Sequence, residues 1–180
     1  RAADGMVVPG VGHFGACVGN LRDRGLDRVV TEFASSGRPM FAVCVGMQVL
    51  FEGSEEDAKA GLGLFEGVSR RLPEEVKVPH MGWNEVHQTL RHPLWDGIDS
   101  GSRFYFVHSY YPAPQDRSIV AGYSLYPFAF ACAVGRANLF AVQFHPEKSQ
   151  AAGLRLLRNF VGWDGRYAQP EARATVPELG

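Results

Sequence analysis

Cysteine, excess charge and long apolar runs are all scarce in this chain, and each scarcity closes off a class of protein. The 180 residues include three cysteines, Cys17, Cys44 and Cys132. An odd number without metal-ligand spacing builds neither a disulfide framework nor a zinc site, and it favours a reducing, cytoplasmic setting with free thiols. The formal net charge is -1, so there is no basic footprint for nucleic acid or an anionic membrane. No apolar stretch approaches the roughly 18 residues of a membrane-spanning helix. Repeats and low-complexity blocks are missing too. His13, His87 and His92 make no ligand cluster with the cysteines, so neither a metal nor a cofactor is expected. What is present is an ordinary globular composition, 46% hydrophobic, long enough as one domain to bury about 70% of its unfolded surface.

Within that composition the stretch RPMFAVCVGMQVLFEGSEE, residues 38 to 56, is the most informative. Met40 to Val45 form a continuous apolar run bounded by Pro39 and Gly46, the pattern of a buried parallel strand. Met47, Val49, Leu50 and Phe51 then crowd onto a short helix. Cys44 therefore sits at an abrupt strand-to-helix turn, a nucleophile elbow with cysteine in place of serine. Nearby backbone N–H groups and the helix amino terminus are expected to favour its thiolate and a developing oxyanion. A lone cysteine in an apolar run is more often an inert core residue, so the elbow needs partners.

NLFAVQFHPEKS, residues 138 to 149, supplies them. Leu139 to Phe144 read as a strand, and His145-Pro146-Glu147 follow directly. Residues two apart on an extended segment point the same way, so Glu147 can orient the imidazole of His145 while Pro146 ends the strand. Nucleophile, base and orienting carboxylate then run Cys44, His145, Glu147.

The elbow, the HPE triplet, the loop PGVGHF at residues 9 to 14 and the string VPHMGWN at residues 78 to 84 together resemble the class I (triad) glutamine amidotransferases. PHMGWN and YFVHSY narrow the resemblance to the glutaminase subunits of imidazole glycerol phosphate synthase. It runs from about residue 4 to about residue 163. The resemblance implies an α/β fold, an open, mixed, mostly parallel sheet with flanking helices. It also implies that a first strand, helix and second strand are absent from the amino terminus, which would leave core and backbone groups unpaired. The substrate is then L-glutamine, with no cofactor. Val45 and the Gly10-Val11-Gly12 turn become oxyanion donors; Gly10, Gln48, Glu56, Tyr105 and Ser109 become substrate-binding residues, Glu56 as the carboxylate for the glutamine ammonium. The partner is a barrel-shaped cyclase subunit, faced by His80, Met81, Trp83, Asn84 and Lys148. His80 and His108 each lack a carboxylate two residues away and are not assigned as the base. One departure stands out: the family usually has glycine two residues before the cysteine, and Ala42 here is expected to crowd the elbow.

Three other readings compete. Cysteine peptidases share the elbow and the base, but Gln48 with Glu56 suits a free amino acid rather than a peptide. A glutaminase of another amidotransferase pathway shares the first three motifs. A non-catalytic binding module is the third, either a decayed glutaminase, against which the intact Cys44, His145 and Glu147 argue, or a truncated fragment that only docks on a partner, which the absent amino-terminal elements keep open.

Elsewhere Gly5 to Pro9 read as a short strand, and Leu26, Val29, Val30 and Phe33 as one face of a helix closed by Gly37 and Pro39. Residues 53 to 63 form an acidic loop over the site. Short alternating runs follow at Gly67 to Leu72, Trp83 to His87, Phe104 to Tyr111 and Ser118 to Tyr123, then a pair from Phe128 to Phe144 turned at 135 to 138. A last helix opens after Ser149 as N-cap, with Leu154, Leu157, Phe160 and Val161 on one face. Residues 1 to 163 are expected to form the glutaminase domain; from Asp164 the chain is polar, with Pro170 and Pro177, and is expected to be a mobile tail.

Overall fold

Alternation along one strand explains how the two halves of the core arise. In β2 (Met40–Cys44), Phe41 points to one face of a sheet, while Met40, Ala42 and Cys44 point to the other, as the period of two requires. The computed structural model describes residues 3–167 and 173–180. Before β2 come β1 (Met6–Gly10), α1 (Phe14–Asp23) and α2 (Leu26–Ala34). After it come α3 (Val45–Gln48), β3 (Phe51–Ser54), β4 (Phe65–Arg71), β5 (His80–Gln88), β6 (Ser102–His108), β7 (Tyr110–Pro114), β8 (Val120–Leu125), β9 (Ala129–Arg136), β10 (Leu139–Val142) and α4 (Gln150–Gly162).

Seven strands form the main sheet in the order β1-β2-β10-β9-β8-β5-β6, and β3-β4-β7 form a second. Among the described strands of the main sheet, β1–β2 and β2–β10 pair parallel. The remaining neighbours pair antiparallel, so the expected mostly parallel character holds for the half that carries the elbow and not for the rest. The β9–β10 hairpin turns where expected, with Ala137 at φ 52°. The sheet curls far enough that Tyr105 on β6 bridges His145 beyond β10.

One face of the sheet carries an aromatic core, in which Phe41 meets Phe140 and Phe160 at ring separations of 6.3 and 5.3 Å. Deleting one such buried phenylalanine ring typically costs about 3–5 kcal/mol. The other face packs Phe14 and Val18 of α1, Val30 and Phe33 of α2, and Met47 of α3.

Several local expectations shift. The chain forms α1, which was not expected. Phe51 lies on a strand, so the elbow helix is a single turn. Leu26 and Val29 are exposed, and α4 buries Leu156 and Phe160 while Leu154 and Val161 face solvent. Ser149 makes no side-chain cap; its hydroxyl is used elsewhere. Of the polar carboxyl-terminal segment, Arg173 N–H donates to Thr89 O at 2.7 Å and Gly180 N–H to Ala129 O at 3.0 Å; Pro170 lies outside the described residues. No described helix is long and apolar enough to cross a membrane.

Candidate active site

Cys44 sits at φ 56°, ψ -119°, a left-handed conformation that a non-glycine residue holds only where its surroundings force it. The forcing comes from backbone packed on backbone. A Cβ on Gly46 would meet Val8 O at 2.0 Å, and one on Gly10 would meet Gly46 N at 2.3 Å. Glycine at both positions lets β1 lie directly against α3, which leaves the chain no room to leave β2 except through the turn at Cys44. Ala42 is fully buried in the core, level with Val8 on β1 and Ala141 on β10; the backbone-to-backbone approach falls at Gly10 and Gly46.

A cleft of about 340 Å³ opens over the elbow, lined among others by Cys44, Val45, Gln48, Val11, Gly12, Glu56, Ser109, His145 and Lys148. Gly10 lies behind the elbow, outside that lining. Tyr105 is also outside it: its ring packs edge-on to Trp83 at 6.1 Å and lies under Lys148 Nζ at 5.7 Å. What Tyr105 gives the site is main chain, since its carbonyl accepts from His145 N–H at 2.8 Å. Ser149, missed as a site residue, completes that clamp by accepting from Tyr105 N–H and donating to His145 O.

His145 Nδ1 lies 2.7 Å from Glu147 Oε1. A carboxylate only accepts, so Nδ1 is the donor here and Nε2 is the ring nitrogen left free of Glu147. His145 Nε2 is buried and has no protein hydrogen-bond partner among the described residues, a condition that one polar atom each of Ser69, His92, Ser124 and Tyr167 shares. Glu147 itself stands half in solvent.

The thiol does not behave as expected from the elbow alone. Burial pushes Cys44 up to about 11 from its ordinary 9.0, and the hydrogen bond with Val45 N–H, which works the other way, is outweighed. The negative charge of Glu147 adds to the rise and Lys148 opposes it. At neutral pH the resting group is therefore a thiol, and its proton must leave during attack.

Gln48 lines the cleft and is held from within the core by Gln143. Gln48 Nε2 donates to Tyr110 O at 3.0 Å and to Gln143 Oε1 at 2.9 Å; Gln143 Nε2 reaches Cys44 Sγ at 3.7 Å. Gln143, fully buried, was not singled out from sequence, although one amide interrupting the apolar run LFAVQF is itself a signal. Glu56 lines the cleft but commits Oε2 to Phe14 N–H at 2.7 Å, tying the acidic loop to the start of α1.

The residues expected at a partner surface divide. Met81 and Trp83 are 62% and 44% exposed, and Lys148 is exposed. Asn84 is half-buried, and His80, at 5%, points inward. Alternation on β5 is the reason: Met81 and Trp83 share one face and His80 the other. Among the described residues no group of three or more His, Cys, Asp or Glu is placed to hold a metal.

Fold and site together have the form of an α/β amidotransferase domain with its cysteine on an elbow. The chain belongs to the class-I glutamine amidotransferase family, whose pattern matches residues 2–162. It is 51% identical over 172 residues to the imidazole glycerol phosphate synthase subunit HisH of Nitrosomonas europaea, spanning 91% of this chain and 81% of that protein. To the subunit of the same name from Chromobacterium violaceum it is 52% identical over 170 residues, covering 91% and 80%. Among solved structures, one described as a glutamine amidotransferase superposes with a TM-score of 0.69 at 19% identity, over 90% of this chain and 79% of that one. PurLQS from Thermotoga maritima superposes with a TM-score of 0.67 at 16% identity, over 88% and 79%. At such identities these two speak for the fold alone.

Proposed function

We infer that this chain is the glutaminase subunit of an imidazole glycerol phosphate synthase, hydrolysing L-glutamine to L-glutamate and ammonia for histidine biosynthesis. The observation that carries the reading is the cleft that Cys44 and His145 line together, with His145 Nδ1 held by Glu147, in a chain about half identical to HisH subunits. Residues 1 to 163 constitute the glutaminase domain, working in the cytoplasm.

Cys44 Sγ attacks the side-chain carbonyl carbon of glutamine while its proton passes to His145 Nε2. A thiol raised to about 11 favours transfer concerted with attack over a standing thiolate. The tetrahedral oxyanion is met by the amide of Val45 and an amide of the Gly10-Val11-Gly12 turn. His145 returns the proton to the leaving nitrogen, the C–N bond breaks, and ammonia departs, leaving a thioester. His145 then draws a proton from water as its oxygen attacks the thioester; glutamate leaves and the thiol is restored. Glu147 fixes the imidazole tautomer and stabilises the imidazolium. Gln48, Glu56 and Ser109 hold the substrate.

Ammonia made in open cleft is lost to solvent, so the reaction belongs next to its consumer. Met81 and Trp83, large and exposed beside Tyr105 and Lys148, form the surface for the cyclase subunit, a barrel in this reading. The test is glutamate released from L-glutamine by the isolated chain and by the chain with ligand-loaded cyclase. Slow turnover alone and acceleration in the complex is the expected result; turnover indifferent to the cyclase would remove the partner.

A further inference from the structure

The cross-strand pair His80–His108, placed directly opposite on β5 and β6, has no role in the chemistry above, yet both rings are buried and hydrogen-bonded to each other. We propose that His80 and His108 form a hydrogen-bond relay of fixed polarity that orients the Gln48 carboxamide with its oxygen facing the cleft. The proposal rests on the glutaminase reading, since it gives that oxygen the N–H donors of glutamine as its partner.

The polarity follows from one carbonyl. Tyr110 O can only accept, and His108 Nδ1 lies 2.9 Å from it, so His108 carries its proton on Nδ1. His108 Nε2 is then an acceptor. His80 Nδ1, 2.9 Å away, must be the donor, which leaves His80 Nε2 to accept from Asn84 Nδ2 at 3.3 Å. The alternative tautomer would set the Nδ1 lone pair of His108 against the lone pairs of Tyr110 O. The chain therefore has one sense.

Tyr110 O uses its second lone pair on Gln48 Nε2, whose other hydrogen goes to Gln143. Both amide hydrogens of Gln48 are thereby committed, and what the residue presents to the cleft it lines is Oε1, an acceptor. Were His108 to switch tautomer, its Nδ1 lone pair would repel Tyr110 O, one of the two acceptors that tell the Gln48 nitrogen from its oxygen. His80 prevents the switch by donating to Nε2. Its own ring is held in a stack, 4.1 Å from Tyr126 and 5.0 Å from Phe106. Burial keeps His80 down at about 4 and His108 at about 3, so neither ring is charged at neutral pH. His108 also lines the cleft, while His80, outside that lining, is a positioning residue acting through His108 and Gln48.

Two measurements test this. Isotope-edited NMR of the imidazole nitrogens in the unaltered chain should find both rings as Nδ1–H tautomers; an Nε2–H tautomer at His108 overturns the relay whatever any variant does. His80→Phe keeps the stacked ring and removes the donor. Labelling of Cys44 by the chloromethyl ketone analogue of glutamine, divided by its labelling by iodoacetamide, should fall at least about tenfold. In a Gln48→Met background the same change should have no further effect beyond about twofold. An unchanged ratio, or an equal further loss without Gln48, overturns the proposal. If the unaltered chain shows no preference for the ketone and glutamine gives no protection, the glutaminase reading fails and the orienting role falls with it, while the tautomers still report whether the relay exists.

Discussion

Gly46→Ala tests the claim that backbone packing, more than the cysteine itself, makes the elbow. The added methyl would sit 2.0 Å from Val8 O, where ordinary contact begins at 3.4 Å, so β1 and α3 must part by about 1.4 Å. The obstacle is a carbonyl on β1, which is locked in register with Gly10 opposite Cys44, so no side chain can swing aside. Overpacking of this kind costs about 1–3 kcal/mol, a fall in Tm of roughly 3 to 10 °C for a chain of this size. A nucleophile displaced by about 1 Å typically loses about 10²-fold in kcat. Gly19→Ala is the control: it lies inside α1 with nothing within 4 Å of the new Cβ, and should stabilise by about 0.5–1 kcal/mol. Thermal melts and glutamate release measured together decide the matter. A Gly46→Ala chain that melts within about one degree of the parent and turns over normally would refute the argument.

Iodoacetamide modification of Cys44 in the isolated chain should keep accelerating as pH rises towards 11, because burial has raised the thiol to about 11; a plateau near neutrality would reveal a preformed thiolate. Burial holds His80 at about 4, and His92 and His108 at about 3, each below the ordinary 6.5, so the unfolded chain binds protons first. Their contribution to stability is full above pH 6.5 and lost as pH falls towards 4 and 3; denaturation midpoints that stay level across that interval would contradict it. Trp83→Ala should weaken association with the cyclase by about 2 kcal/mol or more while leaving unstimulated hydrolysis nearly unchanged, and a titration showing equal affinity and full stimulation would remove Trp83 from the interface.

The parts of the site that sequence reveals are those specified by neighbours along the chain. The elbow follows from an apolar run between Pro39 and Gly46; the His145–Glu147 pair was legible as near neighbours beside a proline, although they meet across a 3-10 turn at Pro146–Lys148 and not along an extended strand. What depends on distant groups was hidden. The raised Cys44 thiol reflects the depth of burial around it, which no local run of residues encodes. The placement of Tyr105 outside the cleft depends on how the curled sheet brings β6 against His145. His80 is an intermediate case, since reading PHMGWN with a period of two already puts it on the opposite face from Met81 and Trp83. Helix α1 was missed because Gly15 and Gly19 dilute its apolar face and His13 supplies no side-chain cap.

The central claim, that Cys44 is the nucleophile of a glutaminase, is tested most directly by glutamate release from L-glutamine with ligand-loaded cyclase present. Cys44→Ser should lower the rate at least about 10³-fold, while Cys17→Ser and Cys132→Ser stay within a few-fold of the parent. Glutamate still released at the parental rate by Cys44→Ser, or lost equally in all three variants, would contradict the account.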